Sequence, residues 1–221
     1  MTPVLLAKQL TKTFLTPTSL EILRGIDLSV DPGKSVAITG RSGEGKSTLL
    51  HILGTLEKPT SGELLILGEP THATPLPQLR NRHLGFIFQS FHLLEESSAF
   101  DNILMPARIA RSPRKEASER ASFLLEQVGL IDRARFLVKH LSGGEKQRIA
   151  IARALFHNPA ILFADEPSGS LDQAHAEQVH QILMESTKQM NTSLILVTHN
   201  PTLARLCDDH YTLNNGLLCK S

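Results

Sequence analysis

The sequence has no surplus of charge of either sign, few cysteines and no long apolar run. Lys and Arg total 23 against 22 Asp and Glu, so there is no bulk positive charge for nucleic acid and we expect no nucleic-acid partner. Cys207 and Cys219 lie near the C-terminus without metal-ligand spacing. Two isolated thiols are typical of a reduced, cytosolic protein.

An export signal and a membrane span are also missing from the sequence. The N-terminus, Met1 to Lys8, lacks the charged start and apolar run of a signal peptide. The longest apolar runs, such as Ala160–Ala164, have the length of a buried strand, whereas a membrane span needs about 20 residues. We therefore expect a soluble protein that acts at a membrane only through a partner.

Short apolar strands alternate with helical patterns along the chain, which favours a mostly parallel sheet with helices on its faces. Between about residues 97 and 158 the pattern is helical throughout, which predicts an insertion into this α/β core. The predicted strands are Val4–Phe14, Ile22–Val30, Ser35–Thr39, Leu64–Leu67, Leu84–Phe88, Ile161–Ala164 and Leu194–Val197. The predicted helices are Lys46–Leu56, Ala117–Val128, Ser142–Phe156, Gln173–Met190 and Pro201–Cys207, so that two strand–helix units close the chain.

A glycine-rich loop between a predicted strand and a predicted helix carries the first chemical signal. Residues 40–47 match GxxxxGK[ST], a pattern whose backbone amides converge on phosphate oxygens at a helix N-terminus. Lys46 would reach the β- and γ-phosphates of ATP, and the Ser47 hydroxyl would bind Mg²⁺. The candidate nucleotide-binding residues here are Gly40, Arg41, Ser42, Gly43, Glu44, Gly45, Lys46, Ser47 and Thr48.

Two carboxylates end the apolar strand that begins at Ile161. The carboxyl ends of parallel strands are where ligands bind in open sheets. Asp165 suits the Mg²⁺ shell, and Glu166 suits polarising a water for attack on the γ-phosphate. Alone, such a strand end is more often a solvated terminus, and the preceding phosphate loop reverses that preference.

A second candidate anion-binding corner follows Leu141, where Ser142, Gly143 and Gly144 begin a predicted helix. A hydroxyl and free amides at a helix start can hold an anion, or the serine can be a plain N-cap. The residues alone leave both interpretations open, since one ATP does not obviously need two such corners in one chain.

The run Leu141 to Arg148, LSGGEKQR, resembles the signature of the ATP-binding-cassette ATPases, and the likeness covers almost the whole chain. The resemblance implies a P-loop NTPase core with a mostly parallel sheet, a small antiparallel β part and an inserted helical subdomain. It implies a single domain over 1–221, with core 1–88 and 159–221 and a helical subdomain at about 89–158. It also implies that a second copy completes each ATP site through Ser142, Gly143 and Gly144.

The resemblance assigns further positions that are weak signals by themselves. It implies that Phe14 stacks on adenine, that Gln89 contacts Mg²⁺ and the attacking water, and that His199 senses the γ-phosphate as a switch. It also implies that Asp172 lies in a loop that crosses between subunits. From the residues alone, Phe14 would be core, Gln89 a loop amide and Asp172 a helix N-cap, and the remaining histidines are interpreted as surface or packing residues.

Within that family the chain looks most like the ATPases of lipoprotein-releasing and related macrolide-export systems. The segments 59–63, 79–94 and 101–106 carry this likeness. It implies integral membrane transporter subunits as partners, lipoprotein cargo handled indirectly, and a place on the cytoplasmic face of the inner membrane. Departures from the pattern are Arg41 and Glu44 in the phosphate loop, the stretch 95–98, and Asn200.

Other functions stay open from sequence alone. The same ATPase could serve an efflux or cell-division membrane partner, a soluble cassette could act on nucleic acid or ribosomes, and a dead cassette could only bind. A single cassette without heptads argues against the soluble class. A catalytically inactive cassette is disfavoured by the presence of all four expected catalytic and phosphate-binding side chains, Lys46, Asp165, Glu166 and His199. We further expect residues 89–102 to bind a cytoplasmic helix of the membrane subunit, through Phe91, Leu93 and Leu94 and an acidic pair, Glu95 and Glu96.

Overall fold

The computed structural model describes residues 2–15 and 19–221, in which strands and helices alternate through most of the chain. The strands are β1 (Leu5–Phe14), β2 (Leu20–Val30), β3 (Ser35–Thr39), β4 (Ser61–Ile66), β5 (Glu69–Pro70), β6 (Leu84–Ile87), β7 (Ile161–Asp165), β8 (Ser193–Val197), β9 (Asp209–Asn214) and β10 (Leu217–Lys220). The helices are α1 (Lys46–Leu53), α2 (Leu76–His83), α3 (Ala99–Ala110), α4 (Arg114–Gln127), α5 (Gly143–Ala154), α6 (Gln173–Gln189) and α7 (Pro201–Ala204).

Two sheets organise the fold. The larger has the order β10-β9-β3-β8-β7-β6, and its neighbours pair in parallel except β9 with β10. The smaller sheet, β2-β1-β4-β5, is antiparallel. The expected α/β fold, with a mostly parallel sheet and a small antiparallel part, is confirmed.

Alternating side chains of the central strands serve two different cores. On β7, Leu162 and Ala164 join a buried cluster with α3, α4, α5 and α6. Ile161 and Phe163 join another cluster with α1 and the antiparallel sheet. Because successive side chains on a strand point to opposite faces, a strand buried on both faces has to be apolar throughout.

The helices between 99 and 154 pack directly on the larger sheet. Ile103 of α3, Leu124 of α4 and Ile149 of α5 share one buried cluster with β7 and β8. Among the described residues, this helical segment therefore has no buried cluster separate from the sheet's. Its division from the core at about 89 and 158 stays a prediction.

Most predicted element bounds differ from the structure by one to three residues, and the ends of the first and final helices are among them. The first helix ends at Leu53 rather than Leu56, because Gly54 is its C-cap and Thr55 then adopts a left-handed φ of 61°, which an α-helix cannot contain. The final helix ends at Ala204 rather than Cys207. A hairpin of β9 and β10 then follows, so two strand–helix units do not close the chain.

Asp208 ties the segment before β9 to the start of β3. Its carboxylate accepts hydrogen bonds from the Ser35 amide at 2.8 Å and the Ser35 hydroxyl at 2.7 Å, and from the Lys34 ammonium at 3.2 Å. The backbone hydrogen bond from Ser35, reinforced by the other two donors, lowers the pKa of Asp208 to about 2. A lowered folded-state pKa stabilises the fold above the unfolded-state value of about 3.9, and that contribution is lost as the pH falls towards about 2.

We predict that Asp208→Asn lowers the free energy of unfolding at neutral pH by about 1 kcal/mol, because the charged acceptor is partly exposed to solvent. The difference from the wild type should shrink as the pH drops below about 4, because the wild-type carboxylate then takes up a proton in the unfolded state before it does so in the folded state. Urea unfolding over a pH series measures both. Asp209→Asn is the matched control, since this substitution removes only an exposed ion pair with Lys220. An equal, pH-independent loss in both variants would contradict this assignment.

Candidate functional site

The phosphate-type loop between β3 and α1 is shaped by positions that admit only glycine. Gly40 and Gly45 have φ angles of 150° and 95°. A Cβ on Gly40 would lie 2.5 Å from the Leu213 carbonyl oxygen, and one on Gly45 would lie 2.3 Å from Ile22. Gly45 is also the N-cap of α1 and supplies no side-chain acceptor. The first amides of α1 are therefore left to bind an anion.

Lys46 is held inside the curl of this loop. It is 9% exposed, and its ammonium donates to the carbonyl oxygens of Gly40 at 3.0 Å and Arg41 at 2.9 Å. These carbonyls carry no net charge and do not neutralise the ammonium group, so its positive charge is available to an anionic ligand. Positive charge and free amides together make the loop suitable for phosphate.

Ser47 and Asp165 meet where α1 begins and β7 ends. The Ser47 hydroxyl donates to the Asp165 carboxylate at 3.2 Å. Burial raises the pKa of Asp165, and the Ser47 hydrogen bond opposes that rise. A bound cation would favour the ionised carboxylate at this buried position.

This oxygen pair fits Mg²⁺. The described residues contain no cluster of three or more His, Cys, Asp or Glu side chains that could hold a metal alone. Mg²⁺ is usually held by one or two protein oxygens plus water and substrate phosphate, and the hydroxyl and carboxylate meet that requirement beside the loop.

Glu166 is oriented by the residues that follow β8. Its Oε1 lies 2.9 Å from the His199 amide nitrogen and 2.8 Å from His199 Nδ1. Its Oε2 accepts from the Thr198 hydroxyl at 3.2 Å. The residue has a φ of 45°, a left-handed conformation that costs a non-glycine residue about 1 kcal/mol or more and that is concentrated at functional sites.

Gln89 follows β6 and approaches the turn after Glu166. A Cβ on Gly169 would lie 3.2 Å from the Gln89 side-chain nitrogen. Helix α6 holds this turn in place, because the buried Ser168 hydroxyl lies 2.7 Å from Nε2 of His180 on that helix. Burial lowers the pKa of His180, which favours the neutral ring. Sequence reasoning missed this anchor, since nothing in the local pattern relates His180 to the turn.

These groups surround one cleft of about 460 Å³. The predicted site residues that line it are Ser42, Gly43, Gly45, Lys46, Ser47, Thr48, Gln89, Glu166 and His199. Ile22 and Val197 line it as well and were not predicted. The cleft therefore joins a basic, amide-rich wall to a wall of carboxylate, amide and imidazole groups.

Other predicted residues support the cleft or lie away from its lining. Gly40 supports the cleft because its carbonyl oxygen accepts a hydrogen bond from Lys46, and Asp165 supports it because its carboxylate accepts one from Ser47. Glu44 binds the turn between β9 and β10 instead, accepting from the Asn215 amide at 2.8 Å, and Arg41 is exposed. Phe14 is 41% exposed at the end of β1, with the Lys12 ammonium 4.8 Å from its ring centre, and it is not among the lining residues.

The second predicted anion-binding corner does not contribute to this cleft. Ser142 caps α5 and exchanges hydrogen bonds with Glu145, whose pKa is lowered by the Ser142 amide. The glycines allow close packing, because a Cβ on Gly143 would lie 3.2 Å from Leu171 and one on Gly144 would lie 3.0 Å from the His175 ring. Ser142 and Gly143 are exposed to solvent.

Asp172 lies beside this corner as the N-cap of α6. It accepts from the His175 amide at 3.0 Å and approaches His175 Nδ1 at 2.6 Å. The amide hydrogen bond lowers the pKa of Asp172. The N-cap role is therefore observed, and a role between subunits stays a prediction.

The sequence profile of the family described as "ABC transporter" matches residues 23–169. The chain belongs to this family. A lipoprotein-releasing system ATP-binding protein LolD from Protochlamydia amoebophila is 52% identical over 220 residues, covering 98% of this chain and 96% of that protein. The LolD of Legionella pneumophila (strain Paris) is 46% identical, with 97% and 96% covered. A dimeric ATP-binding cassette in a post-hydrolysis state with ADP and Pi is 33% identical, with a TM-score of 0.89 over 98% of this chain and 97% of that one.

Within the ranges 2–15 and 19–221, no helix is both long and apolar enough to cross a lipid bilayer.

We predict that Lys46→Ala weakens ATP binding by about 10- to 150-fold, because one charge-assisted hydrogen bond to phosphate is lost. Titration calorimetry with the purified chain measures this. Lys188→Ala removes an exposed lysine in the last turn of α6 and is the matched control. Wild-type ATP affinity in Lys46→Ala would remove Lys46 from the phosphate site.

Proposed function

We propose that this chain is the ATPase subunit of a lipoprotein-releasing ABC transporter on the cytoplasmic face of the inner membrane. The single observation that carries the proposal is its near-full-length similarity, at 52% and 46% identity, to proteins named as LolD. That similarity favours lipoprotein release over the efflux and cell-division alternatives. Hydrolysis of ATP would drive membrane subunits that act on the lipoprotein, so this chain would handle its cargo indirectly.

The cleft supports ATP hydrolysis at the γ-phosphate. Lys46 and the loop amides would bind the phosphates, while Ser47, Asp165 and Gln89 would hold Mg²⁺. Bound Mg²⁺ would neutralise negative charge on the phosphate oxygens.

In the proposed step, Glu166 takes a proton from water as the water oxygen bonds to the γ-phosphorus. The bond from that phosphorus to the bridging oxygen breaks and leaves ADP. The His199 imidazole contacts one Glu166 oxygen in this conformation. Turning the imidazole towards the γ-phosphate would free one acceptor position on that oxygen for water, while the His199 amide keeps its hydrogen bond.

A second copy of the chain would complete the nucleotide site. Ser142 and Gly143 are exposed at a helix start outside the cleft, which supports their use by a partner molecule. In a two-fold dimer the same pair of surfaces would serve twice, so each ATP would lie between one phosphate loop and the partner's Ser142 corner. Asp172, beside that corner, would then lie at the boundary between the copies.

An apolar cleft between the sheet edge and α3 supports docking of a membrane subunit. It encloses about 390 Å³, and its lining includes Phe88, Leu94, Met105 and Ile109. Leu94 is 50% and Ile109 68% exposed. Exposed apolar side chains around a cleft are typical of a groove that receives a helix.

The acidic pair predicted to select this partner is already matched within the chain. Glu96 pairs with Lys139 at 2.7 Å, and Glu95 lies 3.5 Å from Lys146. Both carboxylates are largely exposed and such surface pairs are weak, so their selection of basic residues on a partner stays a prediction. Leu93 packs against the buried cluster, which leaves Leu94 as the exposed apolar member of that stretch.

We predict that Glu166→Gln binds Mg-ATP but hydrolyses it roughly 100- to 10,000-fold more slowly, because the amide cannot accept the proton.

In the Glu166→Gln variant, ATP should shift the chain from monomer to dimer in sedimentation. Adding Ser142→Arg should abolish this shift by placing bulk at the partner's nucleotide. Ser61→Arg, at an exposed serine that starts β4, is the matched control. A dimer that forms regardless of ATP and of Ser142 would defeat the shared-site arrangement.

We predict that Leu94→Glu with Ile109→Glu impairs co-purification with the membrane subunits and reduces ATP-driven lipoprotein release from reconstituted vesicles at least tenfold, on the order expected for burying charges in an apolar groove. ATP binding by the purified chain should not change. Leu206→Glu, at a residue that is also 50% exposed, is the control. Full release by the double variant would exclude this groove, and a native complex that moves only a small hydrophobic compound would overturn the proposed cargo.

A further inference from the structure

The turn between α3 and α4 concentrates positive charge in a chain that is nearly neutral. Residues 108–115 include Arg108, Arg111, Arg114 and Lys115 and no acidic residue, whereas the formal net charge of the whole chain is +1. All four basic residues are exposed. This basic turn, as we call residues 108–115, plays no part in the nucleotide cleft.

Most of this charge is not neutralised within the chain. Arg108 pairs with Asp101, and the described carboxylates form no ion pair with Arg111, Arg114 or Lys115. Glu116, in the first turn of α4, is the acidic residue that follows directly in the sequence. Three unpaired cations on a nearly neutral protein favour an anionic ligand.

A cavity of about 610 Å³ opens between the two helices at this turn. Phe100 and Leu104 give it an apolar floor, and both pack against the buried cluster. Arg108, Arg111 and Arg114 line its rim, and Ser118 adds a hydroxyl. Asp101 also lines the cavity and pairs with Arg108, so Arg111 and Arg114 supply the rim's unpaired positive charge. An apolar floor below a guanidinium rim matches an amphiphile with a phosphate headgroup and a hydrocarbon chain better than it matches a free inorganic anion.

The basic turn also lies next to the surface proposed for the membrane subunit. Met105 and Ile109, on the same helix α3, line the apolar docking cleft, and Arg111 follows Ile109 by two residues. This step rests on the proposed function. If a membrane subunit occupies that cleft, the basic turn lies beside it, on the side of this chain that meets the membrane complex.

We propose that the cavity at the basic turn binds the phosphate headgroup of an anionic phospholipid, with its apolar floor receiving the start of an acyl chain. The guanidinium groups of Arg111 and Arg114 bind the phosphate. The ATPase subunit thereby contacts the lipid surface directly, in addition to its contact with the membrane subunits.

The test measures binding of the purified full-length chain to vesicles of phosphatidylglycerol and phosphatidylcholine, against vesicles of phosphatidylcholine alone, by sedimentation. We expect binding only to the anionic vesicles, weakened by salt. Arg111→Glu with Arg114→Glu should reduce it by roughly tenfold or more, since each basic residue near an anionic surface contributes about fivefold. Lys188→Glu with Arg205→Glu makes the same charge change at exposed positions elsewhere and should leave most of the binding.

A second measurement separates a lipid site from a phosphate site. Short-chain phosphatidylglycerol should shift NMR signals of Leu104 and Phe100, whereas inorganic phosphate and free glycerophosphoglycerol should not compete at similar concentrations. An equal loss of vesicle binding in both charge-reversal double variants would show that binding depends only on the net charge of the protein. Full competition by phosphate would show that the cavity binds free anions rather than lipid. Either result would overturn the proposal. ATP-driven dimerisation and nucleotide affinity should be unchanged in Arg111→Glu with Arg114→Glu, so the lipid site can fail while the proposed function stands.

Discussion

The parallel pairing of β7 with β8 is the constraint on which the nucleotide cleft depends. It sets Asp165 opposite Val197, so the residues that follow, Glu166 and His199, emerge side by side at the same sheet edge. β3 pairs with the other side of β8, and the phosphate loop follows β3 at that edge. Parallel strands buried on both faces resist slipping, because a one-residue shift would turn apolar side chains out of both cores. The cleft geometry is therefore as stable as the sheet.

In the proposed arrangement each chain carries two half-sites that do not meet. The phosphate loop and Glu166, the proposed catalytic carboxylate, share one cleft, while Ser142 caps α5, whose Gly144 lies against the beginning of α6. Both halves are built on helix starts at which glycine permits close backbone approach. A second copy joins them in the proposed arrangement, so ATP would hold two molecules together and hydrolysis would release them. The apolar cleft beside α3 would then transmit this cycle to a membrane subunit.

Much of the fold and cleft could be predicted from the sequence, because local patterns determine them. Strands β3, β7 and β8 are continuous apolar runs, and the glycine spacing from Gly40 to Gly45 has few structural solutions. What the sequence did not predict depends on long-range contacts. The hairpin of β9 and β10 carries its Asn215–Gly216 turn in a polar segment that does not alternate cleanly, and helix α2 buries only Leu79. The lysine partners of Glu95 and Glu96 are distant in sequence, so their pairing appears only in the folded chain.

Assembly of each nucleotide site from two chains can be tested by mixing two defective variants. In a Glu166→Gln background, one chain carries Lys46→Ala and is kept at an ATP concentration too low to fill its weakened site. The other chain carries Ser142→Arg and cannot close its partner's site. With the two labelled by different fluorophores, the mixture contains one intact pairing: the phosphate loop of the Ser142→Arg chain with Ser142 of the Lys46→Ala chain. We expect ATP-dependent energy transfer in the mixture and no ATP-dependent dimer in either variant alone. ATP-driven dimers of either variant alone, or a mixture that never pairs, would show that the nucleotide site is not shared between two chains.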